Sequence, residues 1–275
     1  MKKIVLFIAV LLSALSVNAY TWENIHPEGD LSLNGGAELV SSYNWRGFTY
    51  GGLSVQPWVE LEIIGFRFGV WGNIGSGVYS EFNTFVPELD LSFSYTSPDN
   101  HFTLSLTHYH YFDDKFFNYD YGIENHGTSQ SELGVNILFS EEYPFEFGAN
   151  MMFGGGDCYS GNGVLIKEND KKAKKLFSTY LYVKYTLELD KVTIIPEIGI
   201  SPNESMYTYY NEETDIHQNF AFNNLSCLVN YTFYDKKLVS MYLIGGFYFN
   251  FYDLIYEKFE YGKNFNCHLG LGIEL

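Results

Sequence analysis

The sequence predicts an all-β fold, a transmembrane antiparallel up-and-down β-barrel of about 12 strands. Three observations predict this fold class. Apolar and polar residues alternate along much of the chain, long and short connections alternate between the strands, and aromatic residues gather at strand ends. Of the 275 residues, 46% are hydrophobic and 19% aromatic, and disordered chains lack such aromatic content.

The N-terminus is predicted to be a signal peptide. Two lysines precede an apolar stretch at 4–15, and small residues lead up to a cleavage site after Ala19. The apolar stretch of about 12 residues is too short to span a bilayer, and no later stretch reaches the roughly 18 apolar residues of a transmembrane helix. The predicted organisation is a signal peptide at 1–19 and one outer-membrane β-barrel with long extracellular loops at 20–275.

The alternation is clearest at the C-terminus. One face carries Phe265, Cys267, Leu269, Leu271, Ile273 and Leu275, and the other carries Asn266, His268, Gly270, Gly272 and Glu274. The same template predicts strands at 31–43, 54–64, 66–74, 86–95, 102–112, 130–139, 145–153, 176–188, 191–200, 220–233, 238–249 and 265–275. Most have the length of about 9 to 11 residues that a tilted strand needs to cross a bilayer.

The connections between these strands alternate in length. They contain about 1 to 6 residues at one end of the predicted sheet and about 10 to 22 at the other, with boundaries uncertain by a few residues. A soluble sandwich has no reason for such alternation. An outer-membrane barrel combines tight periplasmic turns with long extracellular loops, and an even strand number brings both termini to the periplasm.

Aromatic residues flank the predicted turns at two levels. Those beside short turns are Tyr95, Phe102, Phe139, Phe145, Phe233 and Tyr234, and those beside long loops are Trp45, Phe112, Phe153, Phe177, Phe249 and Phe265. Two levels correspond to the two aromatic girdles of a membrane barrel. Aromatic packing in a soluble β-core would explain the abundance of these residues but not their placement.

Pro196 interrupts a predicted strand. Every strand of a closed barrel is internal, so a proline removes one ladder hydrogen bond. A β-bulge is the expected adaptation at this position.

The three cysteines are predicted to be free thiols. Cys158 lies in a Gly-rich loop, whereas Cys227 and Cys267 lie on strands separated by another strand. Two strand spacings of about 9 to 10 Å exceed the reach of a disulfide.

Short motifs resemble a family of outer-membrane porins, the TorF-like proteins and their Bacteroidetes relatives. The segment 39–48, LVSSYNWRGF, is followed by Gln56-Pro57, and 177–181 and 196–199 are also similar to that family. The resemblance covers most of the mature chain. It implies a barrel for passive diffusion and brings no catalytic residue.

Alternation assigns an acidic lining to the interior. The polar face carries ten carboxylates, Glu38, Glu60, Glu62, Glu88, Asp90, Glu132, Glu146, Glu188, Glu197 and Glu274, against the two cations Arg67 and Lys184. With Trp71, all of these except Glu274 are predicted to line the pore. An acidic bore attracts cations and repels anions, and bulky inward side chains in a barrel of about 12 strands indicate a narrow passage. The alternative is a bore plugged by loops or internal hydrogen bonds.

Enzymatic and metal chemistry have little support in the sequence. The carboxylate pairs at i and i+2 are what a polar strand face produces, and no His-x-Ser element accompanies His108 and His110. The segment 113–124 has the length of a calcium loop but not its ligands. No catalytic, cofactor-binding or metal site is therefore predicted.

The predicted function is an outer-membrane channel for passive diffusion of small solutes, with cation preference, in a Gram-negative cell. The expected partners are outer-membrane lipid and lipopolysaccharide, the outer-membrane assembly machinery and small solutes. Nucleic acid is excluded because the formal net charge is −17. The alternatives are a closed structural or adhesive barrel acting through its extracellular loops and a lipid-acting outer-membrane enzyme.

Overall fold

A computed structural model describes residues 31–77, 87–111, 129–155, 176–208, 210–211, 216–217, 219–236, 238–251 and 265–275. The predicted signal peptide, Cys158 and Phe112 lie outside these ranges.

The described part of the chain is built from β-strands. Their bounds are β1 Leu31–Val40, β2 Tyr43–Trp45, β3 Phe48–Ile63, β4 Phe66–Gly77, β5 Glu88–Thr96, β6 Phe102–Tyr111, β7 Ser129–Leu138, β8 Phe145–Gly155, β9 Thr179–Tyr185, β10 Leu187–Leu189, β11 Val192–Ser201, β12 Tyr210–Asn211, β13 Ile216–His217, β14 Ala221–Lys236, β15 Val239–Phe249 and β16 Phe265–Glu274. No helix in these ranges is long and apolar enough to cross a membrane.

The strands close into an antiparallel barrel of twelve. Going around the wall, the order is β1, β16, β15, β14, β11, β9, β8, β7, β6, β5, β4 and β3, with β10 continuing β9 along β11. The ring closes because β1 pairs with β16 on one side and with β3 on the other. β2 is not one of the twelve wall strands, and β12 pairs with β13 in a separate small sheet. The predicted fold class is confirmed.

Apolar side chains form the outer wall of the barrel. In β6, Leu104 and Leu106 are 42% and 44% exposed, and in β4 Phe68 is 49% exposed, although all three are large hydrophobic residues. Side chains on the opposite face of the same strands, such as Thr107 in β6 and Trp71 in β4, line a cavity inside the barrel. A closed antiparallel barrel with an apolar exterior is the architecture of outer-membrane proteins, and this protein is placed in the cell outer membrane.

Tight turns join the strands at one end of the barrel. Ile64 and Gly65 connect β3 to β4 with φ angles of 50° and 77°, as in the two-residue turns that suit antiparallel hairpins. In the turn after β5, Ser97 and the backbone N–H of His101 donate hydrogen bonds to Asp99. These bonds favour the ionised carboxylate and lower the pKa of Asp99, chiefly through Ser97.

Pro196 is accommodated without the expected bulge. The pairing of β11 with β9 ends at Glu197, and its pairing with β10 begins at Ile194, so the ladder is interrupted at the proline. The register on either side of this interruption is the same. The register shift in β11 instead lies between Gly199 and Ile200, along β14. The prediction of a bulge at Pro196 is therefore wrong. The ladder is already interrupted at this position, so the backbone N–H that proline lacks is not required for pairing.

The predicted aromatic girdles are present in part. Phe102 and Phe145 at short turns, and Phe153 and Phe265 at the other end, are at least 39% exposed. Trp45 is the exception, because its ring packs inside the barrel against Tyr109. The assignment of Trp45 to the girdle is wrong. The wall strand β1 ends at Val40, before the predicted end at 43, and Trp45 belongs to the separate strand β2.

Cys227 and Cys267 are free thiols. They lie on β14 and β16, with β15 between them, as the strand count predicts.

Candidate functional site: the interior of the barrel

A short hairpin folds into the interior of the barrel. β2 pairs with the start of β3, joining Tyr43 to Gly51 and Trp45 to Phe48, and we call residues 43–51 the inner hairpin. The wall continues without it, because β1 pairs with β3 from Leu31–Ile63 to Val40–Ser54. The sequence pattern predicts a strand at 31–43 followed by a loop in this region, and it gives no indication of the inner hairpin.

The tip of the inner hairpin touches the opposite wall. Arg46 and Gly47 form the turn, with φ angles of 52° and 84°. A Cβ atom on Gly47 would collide with the backbone carbonyl of Asn223 in β14. Only glycine permits both the positive φ and this close approach. The contact extends the inner hairpin across the bore.

Arg46 at this tip forms a buried ion pair with Glu132 of β7. Arg46 Nη2 donates to Glu132 Oε1 at 2.7 Å, and Nη1 lies 2.6 Å from Oε2 within the same ion pair. Arg46 also donates to the hydroxyl of Tyr207, and Tyr109 donates to Glu132 at 3.0 Å. The side chains of Arg46 and Glu132 are each 6% exposed, so loss of one charge would leave the other buried and uncompensated.

Aromatic rings enclose the guanidinium of Arg46. Its central carbon lies 4.2 Å from the ring centroid of Trp45, 4.9 Å from that of Tyr180 and 5.5 Å from that of Tyr207. Cation–π attraction strengthens when the cation is removed from water, as here. The cage and the ion pair together fix the tip of the inner hairpin.

Polar contacts anchor the base of the inner hairpin to β16. Asn266 donates to Asn44 and to Thr49, each at 2.9 Å, and Thr49 donates to Asn44 at 2.8 Å. Asn44 also donates to the hydroxyl of Ser42 at 2.7 Å. The inner hairpin is therefore held at its base by β16 and at its tip by β7 and β14.

Three inward tyrosines each cover a glycine of a neighbouring strand and bind a glutamate. Tyr182 lies against Gly148, Tyr180 against Gly199 and Tyr242 against Gly272. Each hydroxyl donates a hydrogen bond to one glutamate: Tyr182 to Glu146 at 2.7 Å, Tyr180 to Glu197 at 2.8 Å and Tyr242 to Glu38 at 2.8 Å. The glycines provide the space that lets each ring lie flat across the sheet. The rings narrow the bore and hold three of the predicted carboxylates in place.

We expect Gly148→Ala to destabilise the barrel by about 1–3 kcal/mol, the usual cost of overpacking. The added Cβ would collide with the ring of Tyr182 and displace its hydroxyl from Glu146 and Asn136. Urea unfolding of the refolded protein in detergent measures the loss. The matched control is Gly245→Ala in β15, where a Cβ would meet nothing within 4 Å. Equal stability of the two variants would show that the Tyr182 ring is not fixed by Gly148.

The predicted pore-lining residues separate into several groups. Arg67 bonds Glu60 at 3.0 Å and Glu62 at 3.1 Å near the tight turns, and Lys184 bonds Glu146 at 2.9 Å. Glu38, Trp71 and Asp90 line one cavity. Glu132 binds Arg46, and Glu197 accepts a hydrogen bond from Tyr180. Glu88 is buried beside Tyr43, whereas Glu188 is exposed on β10. Their role in conduction stays a prediction.

The cavity lies in the barrel between the inner hairpin and the opposite walls. It has a volume of about 420 Å³. Its lining comprises Glu38, Ser42, Tyr43, Asn44, Trp45, Gln56, Trp71, Asp90, Ser92, Thr107, Tyr109, Leu228, Asn230, Ile244, Tyr248 and His268. These residues come from both sides of the ring of strands, so the cavity is part of the bore.

Several interior residues could not be predicted from the sequence pattern. Arg46 and Tyr207 were assigned to loops, and His268 and Asn230 were not identified as candidates. Tyr207 is 161 positions from Arg46, and no local pattern relates them. The one available signal was the Arg46-Gly47 dipeptide, since a glycine after a short polar stretch favours a turn.

The outer face of β6 carries two histidines with serine neighbours. His110 Nδ1 lies 3.2 Å from Ser129 Oγ, and His108 Nδ1 lies 3.5 Å from Ser131 Oγ, because β6 and β7 place these pairs in register. All four residues are buried. Linear spacing could not indicate the pairs, which lie on neighbouring strands. A hydrolase would further need a residue that orients the histidine and donors for an oxyanion.

The residues that the structure describes contain no group of three or more His, Cys, Asp or Glu side chains that could hold a metal ion.

No protein-family model matches the chain, and no curated protein matches it. Among solved structures, an outer-membrane channel from Pseudomonas putida F1 is similar to it, with 12% identity, a TM-score of 0.45 and coverage of 90% of this chain and 98% of that one. A FadL homologue from Pseudomonas aeruginosa has 10% identity and a TM-score of 0.35, covering 89% and 88%. A deltaS2 mutant of the monoaromatic hydrocarbon channel TodX has 9% identity and a TM-score of 0.36, covering 89% and 88%.

Proposed function

We propose that the protein is a porin-like channel of the outer membrane through which small solutes diffuse passively, with a preference for cations. One observation carries the proposal: a closed barrel contains a polar cavity of about 420 Å³ whose lining, among the residues that the structure describes, includes Glu38 and Asp90 but no Lys or Arg. A bore with a single sign of charge attracts ions of the opposite sign. The proposed role is not enzymatic.

The charge balance of the interior supports cation preference. The inward cations of the described ranges are already paired: Arg46 with Glu132, Arg67 with Glu60 and Glu62, and Lys184 with Glu146. In the described ranges, Glu38, Asp90 and Glu197 have no Lys or Arg within ion-pairing distance. Their negative charge is therefore not balanced by a Lys or Arg of these ranges, which favours the entry of cations into the bore.

The inner hairpin and the tyrosine rings make the proposed passage narrow. Trp45 packs against Tyr109 and Tyr207 with ring centroids 5.6 Å and 5.7 Å apart. The ion pair at the tip leaves little room beside these rings. We propose that small solutes pass only when the inner hairpin shifts, whereas folded proteins do not pass.

The same inner hairpin supports a second candidate, a closed structural or adhesive barrel that acts through its extracellular loops. The proposed partners outside the bore are the same for both candidates: lipid and lipopolysaccharide at the apolar wall, and the assembly machinery that inserts the barrel. The TorF-like resemblance of the sequence favours the channel.

Planar-bilayer recordings distinguish the two candidates. We expect discrete conductance steps and, across a KCl gradient, a reversal potential of the sign given by K⁺ permeation. In Glu38→Gln/Asp90→Asn the reversal potential should move towards zero. The matched control Asp99→Asn/Glu141→Gln removes two exposed acids in the tight turns, outside the predicted pore lining, and should leave it unchanged. Silence at several voltages would favour the closed barrel, and clear anion preference would contradict the acidic lining.

A further inference from the structure

The cavity beneath the inner hairpin has the size of a ligand site. Its volume of about 420 Å³ falls in the range of roughly 300–1,000 Å³ typical of small-molecule sites. Its polar side chains converge from strands on opposite sides of the barrel. This arrangement can hold a small molecule as well as let it pass.

Asp90 lines the cavity and has one carboxylate oxygen without a hydrogen-bond partner among the described residues. Its Oδ1 atom is fully buried and has no hydrogen-bond partner in the ranges that the structure describes. No Lys or Arg of the described part of the chain lines the cavity, and the acid Glu88 lies two residues away on the same face of β5. A buried carboxylate without a counter-charge is costly, and it is neutralised either by a proton or by a cation, so a cation that enters the cavity would be stabilised beside Asp90 in place of the proton.

Aromatic rings stand beside this carboxylate. In the sheet, Asp90 pairs with Trp71 on one side and with Tyr109 on the other. The ring of Tyr43 lies 5.5 Å from that of Trp71, and both line the cavity. Rings of Trp and Tyr attract organic cations, above all alkylated ammonium groups.

The cavity also offers a neutral acceptor on the far wall. The buried Oδ1 atom of Asn230 in β14 has no hydrogen-bond partner within the described ranges. It can accept a bond from a hydroxyl or N–H at the other end of a bound molecule. Leu228 and Ile244 beside it supply apolar contact. The cavity thus combines an anion and aromatic rings on one side with an acceptor and apolar groups on the other.

We propose that this cavity binds a small organic ammonium ion, with Asp90 as its counter-ion and Trp71 and Tyr43 against its alkyl groups. The inference deepens the proposed channel function, on which it rests, by naming the class of solute. A neutral sugar could satisfy the acceptors but would leave the charge of Asp90 uncompensated.

Equilibrium binding to the full chain, refolded in detergent, tests the proposal. The probes are choline, its uncharged isostere 3,3-dimethylbutan-1-ol, and D-glucose, measured by isothermal titration calorimetry. We expect one choline site per chain and at least about tenfold weaker binding of the isostere, equivalent to about 1.4 kcal/mol. Equal binding of choline and isostere, binding of glucose alone, or no binding would each overturn the proposal.

Variants then locate the site. Asp90→Asn keeps the side-chain shape, and it should lower choline affinity at least about tenfold while leaving binding of the isostere unchanged. Trp71→Leu should weaken binding of both probes. Glu62→Gln, which removes one negative charge near the tight turns, is the matched control and should bind choline normally. Circular dichroism shows whether each variant is folded, and unchanged choline affinity in folded Asp90→Asn would overturn the assignment.

This measurement is independent of conduction. A barrel that binds choline but is silent in bilayers would contradict the channel and leave the binding site standing. A barrel that conducts cations without binding choline would contradict the binding site and leave the channel standing.

Discussion

Leu106→Arg is expected to destabilise the folded barrel by about 2–4 kcal/mol, the cost of an arginine on the lipid face near the bilayer midplane. Leu106 lies in the middle of β6 and is 44% exposed, with Phe93 and Leu133 directly opposite it on the neighbouring strands. Arginine there would place a charge in hydrocarbon. Urea unfolding in lipid vesicles gives the free energy of unfolding.

The adjacent Thr107→Arg is the matched control for the lipid-facing variant. Thr107 points to the opposite side of the same strand and lines the interior cavity. Arginine there would reach the acidic interior near Asp90, and we expect a change of less than about 1 kcal/mol, as for many exposed charge changes. Similar losses in the two variants would contradict the assignment of the two faces of β6.

Arg46→Met is expected to lower the free energy of unfolding by about 3–5 kcal/mol and to raise single-channel conductance. Methionine keeps an apolar stem but leaves Glu132 buried without its partner. The tip of the inner hairpin then loses its main attachment to β7. Conductance recordings and urea unfolding of the same preparation measure the two effects.

The double variant Arg46→Met/Glu132→Leu distinguishes an unpaired charge from lost packing. Because it removes both charges, its stability should return close to that of the unchanged protein, as for buried pairs replaced by apolar residues. If Arg46→Met alone left stability and conductance unchanged, the ion pair would not fix the inner hairpin.

The wall of the barrel could be predicted from sequence because its determinants are local. The outer face of β16 has a two-residue period, and the turn Ile64-Gly65 separates two strands that pair directly. Each strand contacts its sequence neighbours around most of the ring, so local alternation and connection length suffice. The even number of strands in the closed barrel could also be predicted, because an even number of strands returns both termini to the same end.

The contents of the bore could not be predicted in the same way. Alternation assigns Glu132 to the interior but does not indicate that Arg46, 86 positions earlier, reaches it. The inner hairpin itself continues the alternating pattern of β1, so its departure from the wall has no periodic signal. Its position is set by contacts that form only after closure, such as Gly47 against the backbone of Asn223.

The wall is complete without the inner hairpin, because β1 pairs with β3 along ten consecutive residues, from Leu31 to Val40. The nine residues of the hairpin are therefore an insertion whose two ends emerge side by side from an intact cylinder. Selection could lengthen, shorten or recharge this insert without rebuilding the surrounding sheet. One robust scaffold could in this way yield barrels whose interiors differ in width and charge through changes to a single segment.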